Sequence, residues 1–332
     1  MFRVGVIGCG SIMKTAHLPA YKQMIEKNDP IVVEAYCDIK PEQLEGLEGR
    51  LYTDVDEMLA KEQGKLDFID ICAPTYLHAE LSVKAMEAGF HVLCEKPMAR
   101  TVEQGQMMID AAKRTGKLLM SAYCNRFYDA ARYIRDLIQS GELGAVRNAE
   151  FCREGGPAPT GVDMWFRNAE LSGGAMLDLH IHDVDMIRWM FGMPKAVSVV
   201  GKSVVTEGGY DILSANFLYE NNVFVHAFCD WYTEHDKFNT RVIRVNFEKG
   251  YVYVDRSPDR VAFVKVTSDG EVTDMADKLN FNAYYNEIIC FANCLEKGLP
   301  VSESLPEDSL DSVRIVMAEM RSADLGGEKV SL

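Results

Sequence analysis

The 332-residue sequence predicts two domains of different class. The first is an α/β domain on a doubly wound parallel sheet; the second is an α+β domain on a large, mainly antiparallel open sheet. Three observations carry this. Up to Cys124, short apolar runs alternate with helical ones, the pattern of a parallel sheet. Beyond Cys124, long strand-like runs meet across turns such as Glu220-Asn221-Asn222 and Glu248-Lys249-Gly250, as in an antiparallel sheet. The length fits two domains of ~100–200 residues each. The boundary is expected between Ala122 and Arg126, giving domains 1–122 and 123–332.

The elements follow in order. "RVGVIG" is a buried strand, and the helical stretch after it runs to Lys27. "IVVEAYCD" is a strand, "DVDEMLAK" a helix, "LDFIDICA" a strand, and "AELSVKAMEAG" a helix stopped by Gly89. "HVLCE", "TVEQGQMMIDAAKRTG" and "KLLMSAYC" complete the alternation as strand, helix and strand. "DAARYIRDLIQSGELG" is an amphipathic helix with a glycine stop. The runs "AVRNAEFCRE", "AVSVVGKSVV", "DILSANFLYE", "NVFVHAFCDWY", "RVIRVNFEKGYVYVD" and "RVAFVKV" are strands. A helix from Gly174 to Phe191 interrupts them, and helices over Tyr284–Glu296 and Glu307–Ala323 close the chain.

Composition narrows the function. With 48% hydrophobic and 26% charged residues, the chain is that of an ordinary globular protein. The net charge of -15 argues against nucleic-acid backbones and anionic membranes, both of which attract Lys and Arg. No apolar run approaches the ~20 residues of a membrane span. "MFRVGVIG" already reads as a strand, which leaves no room for a signal peptide. The nine cysteines include no C-x-x-C, and Cys290 and Cys294 lack a second pair for zinc. Reduced thiols and a cytoplasmic location are expected.

"VGVIGCGSIMK" places Gly8-x-Gly10 between a strand and a helix. Gly8 suits the tight turn. Gly10 lets backbone approach a pyrophosphate seated on the helix N-terminus, with Ser11 and Ile12 beside it. Met13 stands where a third glycine is usual. The second strand ends in Asp38, where an acid binds ribose hydroxyls; its bland alternative is a cap before Pro41. Asp38 repels a 2'-phosphate and favours NAD over NADP, and Lys40 tempers that choice. Ligands of parallel sheets lie outside the carboxyl ends of strands. Ala73, Pro74, Thr75 and His78 follow one strand end; Glu95, Lys96 and Pro97 follow the next. Lys96 thus falls where a nicotinamide lies and can bond a substrate hydroxyl, with partial burial lowering its proton affinity. A plain Glu95–Lys96 surface pair is the bland alternative.

In "GGAMLDLHIHDVDMIRWMFG", Asp178, His182, Asp185 and Trp189 share one helical face between apolar flanks. Buried ionisable groups cost energy unless paired or used. Asp178 can orient His182, which suits an acid/base, or the two form a satisfied core pair. His180 and His182 lie on different faces, so no metal site is expected.

These stretches together resemble the glucose–fructose oxidoreductase/inositol dehydrogenase (Gfo/Idh/MocA) family. "VGVIGCGSI" with "AHLPA", including His17, looks like its nucleotide loop. "DFIDICAPTYLHAELSVKAMEAGFHVLCEKPMA" resembles its Glu-Lys-Pro segment. "NRFYDAARYIRDLIQSGELGAV" and "WFRNAELSGGAMLDLHIHDVDMIRWMFG" are similar to its second-domain signatures, with Phe166 and Ala169 departing from a usual Trp-Arg-x-Asp-Pro. The resemblance implies an N-terminal Rossmann domain and a substrate-binding, oligomerising second domain. It implies Lys96, Asp178 and His182 as catalytic residues, with NAD(P) oxidising or reducing a secondary alcohol or ketone of a sugar, cyclitol or polyol. Arg126, Asp163, Trp165, Tyr232 and His235 are weaker candidates for holding that substrate. A homodimer or homotetramer is expected, since "NVFVHAFCDWY" is apolar on both strand faces. The rival readings are an NAD-dependent glycosidase without net redox and a non-catalytic dinucleotide-binding sensor.

Overall fold

The structure is a computed structural model describing residues 1–155, 161–232, 240–258, 260–279 and 282–332. Two compact units result: Met1–Phe127 with Asn282–Leu310, and Tyr128–Phe281 with Asp311–Leu332.

The first unit begins with β1 (Phe2–Ile7), α1 (Leu18–Glu26), β2 (Ile31–Cys37), β3 (Arg50–Tyr52), α2 (Val55–Glu62) and β4 (Phe68–Ile71). It continues with α3 (His78–Glu87), β5 (His91–Glu95), α4 (Val102–Thr115) and β6 (Leu119–Ala122). The six strands form one parallel sheet in the order β3-β2-β1-β4-β5-β6. The order reverses at β1, with β2 on one side and β4 on the other. This places the ends of β1 and β4 at a topological switch point, the usual ligand crevice of such sheets. β4 and β6 are buried throughout, which is why their sequences run apolar rather than alternating. Asp54 and Thr101 cap α2 and α4, accepting from the N–H of Glu57 and Gln104.

The second unit carries α5 (Asp129–Ser140), β7 (Val146–Glu154), α6 (Ala169–Ser172), α7 (Ile181–Phe191), β8 (Ala196–Lys202), β9 (Ile212–Leu218) and β10 (Phe224–Asp230). The strands β11 (Arg241–Phe247), β12 (Gly250–Ser257), β13 (Arg260–Thr267) and β14 (Val272–Asp274) follow. Last come α8 (Ala283–Lys297), α9 (Pro306–Asp324) and β15 (Val330–Ser331). Nine strands form one sheet, β14-β13-β12-β11-β7-β10-β9-β8-β15, antiparallel except where β7 and β10 pair in parallel. The mainly antiparallel expectation therefore stands, with one parallel seam at its centre. The short edge strands β3, β14 and β15 escape sequence reading because two or three residues carry no period.

Two further differences matter. The expected boundary at 122/123 falls instead after Phe127, and residues 282–310 pack with the first unit, not the second. The reason is contact: Phe291 meets Phe68 edge-on at 5.2 Å, and the Tyr285 hydroxyl donates to Asp29 at 2.7 Å. The helix expected over Gly174–Phe191 is also not uniform. Met176–His180 forms a wider π turn ahead of α7. None of the nine cysteines forms a disulfide among the described residues.

Candidate active site

The first unit gathers the nucleotide-type residues at the carboxyl edge of its sheet. Gly8 has φ +91° and accepts no side chain, because a Cβ there would lie 2.6 Å from the backbone nitrogen of Ala73. Gly10 faces open space, with nothing within 4 Å of a Cβ position. Ser11 is exposed and Ile12 half-buried. The Asp38 carboxylate accepts from the N–H of Cys9 at 2.8 Å and from that of Lys40 at 2.9 Å. It thus locks the glycine turn to the end of β2, which enlarges the capping role weighed from sequence. An open backbone turn at a helix start, with an acid at the end of β2, fits a dinucleotide.

Ala73 and Pro74 are half-buried at the end of β4, and Thr75 is buried. His78 departs from its expected place among the cofactor contacts. It is buried, and its ring nitrogens lie 2.8 Å from the carbonyls of Pro97 and Ala73. The ring sits between the two strand-end loops, with both nitrogens facing backbone carbonyls. Burial pushes the imidazole below its ordinary range, against the pull of the Pro97 and Ala73 carbonyls.

Lys96 is half-buried after β5, and the Lys96–Pro97 bond is cis. Its backbone N–H donates to the Glu95 carboxylate at 2.9 Å. Glu95 is buried, and its other oxygen lies 2.8 Å from Nε2 of His17. The bland surface-pair reading of Glu95–Lys96 fails on this burial. Arg126, weighed for substrate, is 1% exposed, with its guanidinium 3.6 Å from Asp308. It is buried inside its own unit. A groove of about 710 Å³ lined by Arg3, Asp67, His91 and Lys117 lies at the opposite, amino edge and holds none of these residues.

In the second unit, the helix 176–191 sorts its ionisable groups. Asp183 is buried and takes both a 2.7 Å Nε and a 2.7 Å Nη2 bond from Arg153. Losing one partner of such a pair costs about 3–5 kcal/mol. His180 pairs with Glu319 at 3.1 Å, and Asp185 accepts from Ser312 at 3.0 Å, all in the interior. Trp189 is buried under the Arg135 guanidinium, 4.3 Å from the ring centroid. The expected four-residue polar face is therefore half core. Only Asp178 and His182 of that stripe keep partial solvent access. His180 and Asp183 are held in ion pairs. Trp165 stacks on Phe166 at 3.8 Å, and Tyr232 is exposed. The Asp163 side chain and His235 lie outside what is described.

Residues that sequence reading passed over lie beneath Lys96: Asp70, Tyr284 and Glu287, around the His17 noted in the nucleotide loop. Asp70 interrupts the apolar run "FIDI", and Glu287 lies on the buried face of α8 with Ala283 and Phe291. An acid on an apolar stripe was the available signal.

The switch-point crevice, the glycine turn and the acid at the end of β2 define a nucleotide-binding protein of the Rossmann class. The chain belongs to the Gfo/Idh/MocA oxidoreductase family. Residues 2–123 match that family's NAD-binding Rossmann fold, and residues 131–253 match its C-terminal domain. A D-glucoside 3-dehydrogenase of Escherichia coli is 34% identical over 205 residues, 59% of this chain and 56% of that protein. A 2,7-anhydro-N-acetylneuraminate hydratase of Mediterraneibacter gnavus is 28% identical over 62% of this chain and 52% of its own length. The chain thus spans little more than half of these relatives. The aldose-aldose oxidoreductase of Caulobacter crescentus, solved with glycerol, has the same fold at a TM-score of 0.87 and 23% identity, covering 100% of this chain and 99% of that one.

Proposed function

We propose that the protein is an NAD-dependent oxidoreductase acting on a secondary alcohol or ketone of a sugar, cyclitol or related polyol. The observation that carries this is the selective burial on helix 176–191. Its other acids and His180 are spent in the core, while Asp178 and His182 keep solvent access. NAD, held by the Gly8–Gly10 turn, Asp38 and the 73–75 loop, supplies the hydride acceptor or donor when bound. Lys96 donates a hydrogen bond to the substrate oxygen and offsets negative charge developing on it. His182 takes the hydroxyl proton in the oxidative direction, and Asp178 holds the ring in the tautomer that can accept it. Arg126, Asp163, Trp165, Tyr232 and His235 are the candidates for lining the substrate. NADP use is a secondary possibility that Lys40 keeps open, and a homodimer or homotetramer is part of the same reading.

The test is a panel of sugars, cyclitols and polyols with NAD and NADP in parallel, following reduced-cofactor absorbance. Reduction of NAD by at least one polyol supports the reading. Turnover of a glycoside or anhydrosugar with bound NAD and no net reduction would replace it with redox-neutral chemistry. Dinucleotide binding without turnover of any class would leave a sensor.

A further inference from the structure

Beneath Lys96 the first unit buries more charge than a strand end requires. His17 is fully buried between two carboxylates, Nδ1 lying 2.8 Å from Asp70 and Nε2 lying 2.8 Å from Glu95. Asp70 also accepts from the Tyr21 hydroxyl at 2.9 Å and faces the Cys72 thiol at 3.6 Å. Glu95 also accepts the backbone N–H of Lys96. Both acids are therefore acceptors, and an ionised carboxylate only accepts. The imidazolium, with a hydrogen on each ring nitrogen, is the one form of His17 that donates to both carboxylates. Burial opposes that charge, but the Asp70 carboxylate outweighs it and holds the ring well above the usual histidine range.

A third acid completes the group. Glu287, from α8, is fully buried, with its carboxyl close enough to His17 and Glu95 to share one site with them. Neither of its oxygens has a hydrogen-bond partner among the described residues. An isolated buried carboxylate is expensive, and taking up a proton removes the cost. Burial first, then the Glu95 charge, push Glu287 well above the usual carboxyl range. Burial likewise raises the Tyr21 hydroxyl and the Cys72 and Cys124 thiols, and Cys124 with burial raises Tyr284. None of these four adds charge near neutrality.

We propose that Glu95 is a positioning residue for Lys96, and that His17, Asp70 and Glu287 are the buried proton-holding group that keeps Glu95 a carboxylate. Lys96 then has its backbone N–H held by a carboxylate that three separate parts of the chain keep in place. This deepens the reading of Lys96 as the partner of the substrate oxygen and rests on it. The measurements, however, concern protonation states in the full chain and need no substrate. Failure here is thus separable from failure of the substrate panel.

Nitrogen-15 NMR of the histidines, with His17 assigned by His17→Gln, reads both ring nitrogens in the unmutated protein. Both should be protonated at pH 7. Infrared difference spectra between the parent and Glu287→Gln should show the loss of one protonated-carboxyl carbonyl band. The backbone amide signal of Lys96, assigned by Lys96→Arg, should shift in Glu95→Gln, where a neutral acceptor replaces the carboxylate. It should not move in Glu287→Gln, because one neutral group replaces another. A neutral His17 at pH 7 would overturn the proposal. So would an unchanged carbonyl region, or a Lys96 amide signal that shifts as far in Glu287→Gln as in Glu95→Gln. Should His17→Gln fail to fold, single variants of the six other histidines assign His17 by elimination.

Discussion

The two glycines of the turn should fail in opposite ways when each becomes alanine. At Gly8 a Cβ would sit 2.6 Å from the Ala73 nitrogen and 2.7 Å from the Cys72 carbonyl carbon. Both are backbone atoms at the end of β4 and cannot swing aside. The φ of +91° adds a conformational penalty of about 1–2 kcal/mol for an L side chain. Gly8→Ala should therefore lower stability by several kcal/mol, on the order of that strain plus the cost of an overpacked contact, ~1–3 kcal/mol. At Gly10 nothing lies within 4 Å, so alanine costs no packing, and the stiffer unfolded chain gives back ~0.4–1 kcal/mol. Gly10→Ala should melt at or slightly above the parent. Yet its methyl group occupies the surface the pyrophosphate must approach, and NAD affinity should drop at least about tenfold, ~1.4 kcal/mol. Thermal melts and NAD titration calorimetry on the same samples separate the two effects. Unaltered NAD affinity in Gly10→Ala would refute the assignment of this turn as the phosphate cradle.

Asp38→Ser should weaken NAD and narrow its advantage over NADP in parallel titrations; equal affinity of the parent for both would count against Asp38. Lys96→Ala should bind NAD nearly normally but lose ~10²–10³ in turnover on the substrate found by the panel, the usual cost of one electrostatic contact. Light scattering at micromolar concentration should give a dimer or tetramer, because Phe224, 51% exposed, and half-buried Phe228 face away from the core side held by Val225 and Ala227. In the second unit, burial raises Asp211, but bonds from Thr206, Trp231 and the N–H groups of Val204 and Val205 win and hold it below the ordinary carboxyl range. The stability it provides is complete above its unfolded value of ~4 and drains away as pH falls through the lower folded value. Asp211→Asn turns one oxygen into a donor facing three backbone N–H groups and should cost on the order of 3 kcal/mol at pH 7, read by denaturant titration.

Local pattern carried the parallel alternation, the strand ending at Glu95-Lys96-Pro97 and the greasy helix with its acids and histidines. It could not sort that helix. Asp178 and Asp183 look alike in sequence; they differ because Arg153 reaches Asp183 from β7, 30 positions away. His180 and His182 differ because Glu319 arrives from α9, 139 positions away. His78 was read toward a ligand for the same reason, since its two carbonyl partners come from loops whose closeness only the sheet register sets. The interrupted first unit was illegible too, because an apolar face on α8 says that something covers it, not which domain.

That interruption has a bearing on synthesis. A ribosome delivers Met1–Phe127 long before Asn282–Leu310, and at ~5–20 residues per second the wait is roughly ten to forty seconds. Throughout it, the edge of Phe68 and the acids around His17 lack the helix that packs against them. A nascent chain at that stage has six strands but an unfinished core, with apolar surface open to any other unfinished copy nearby. The first unit is therefore a late finisher despite its early sequence, and a fragment ending at Phe127 should be sticky where the whole chain is not.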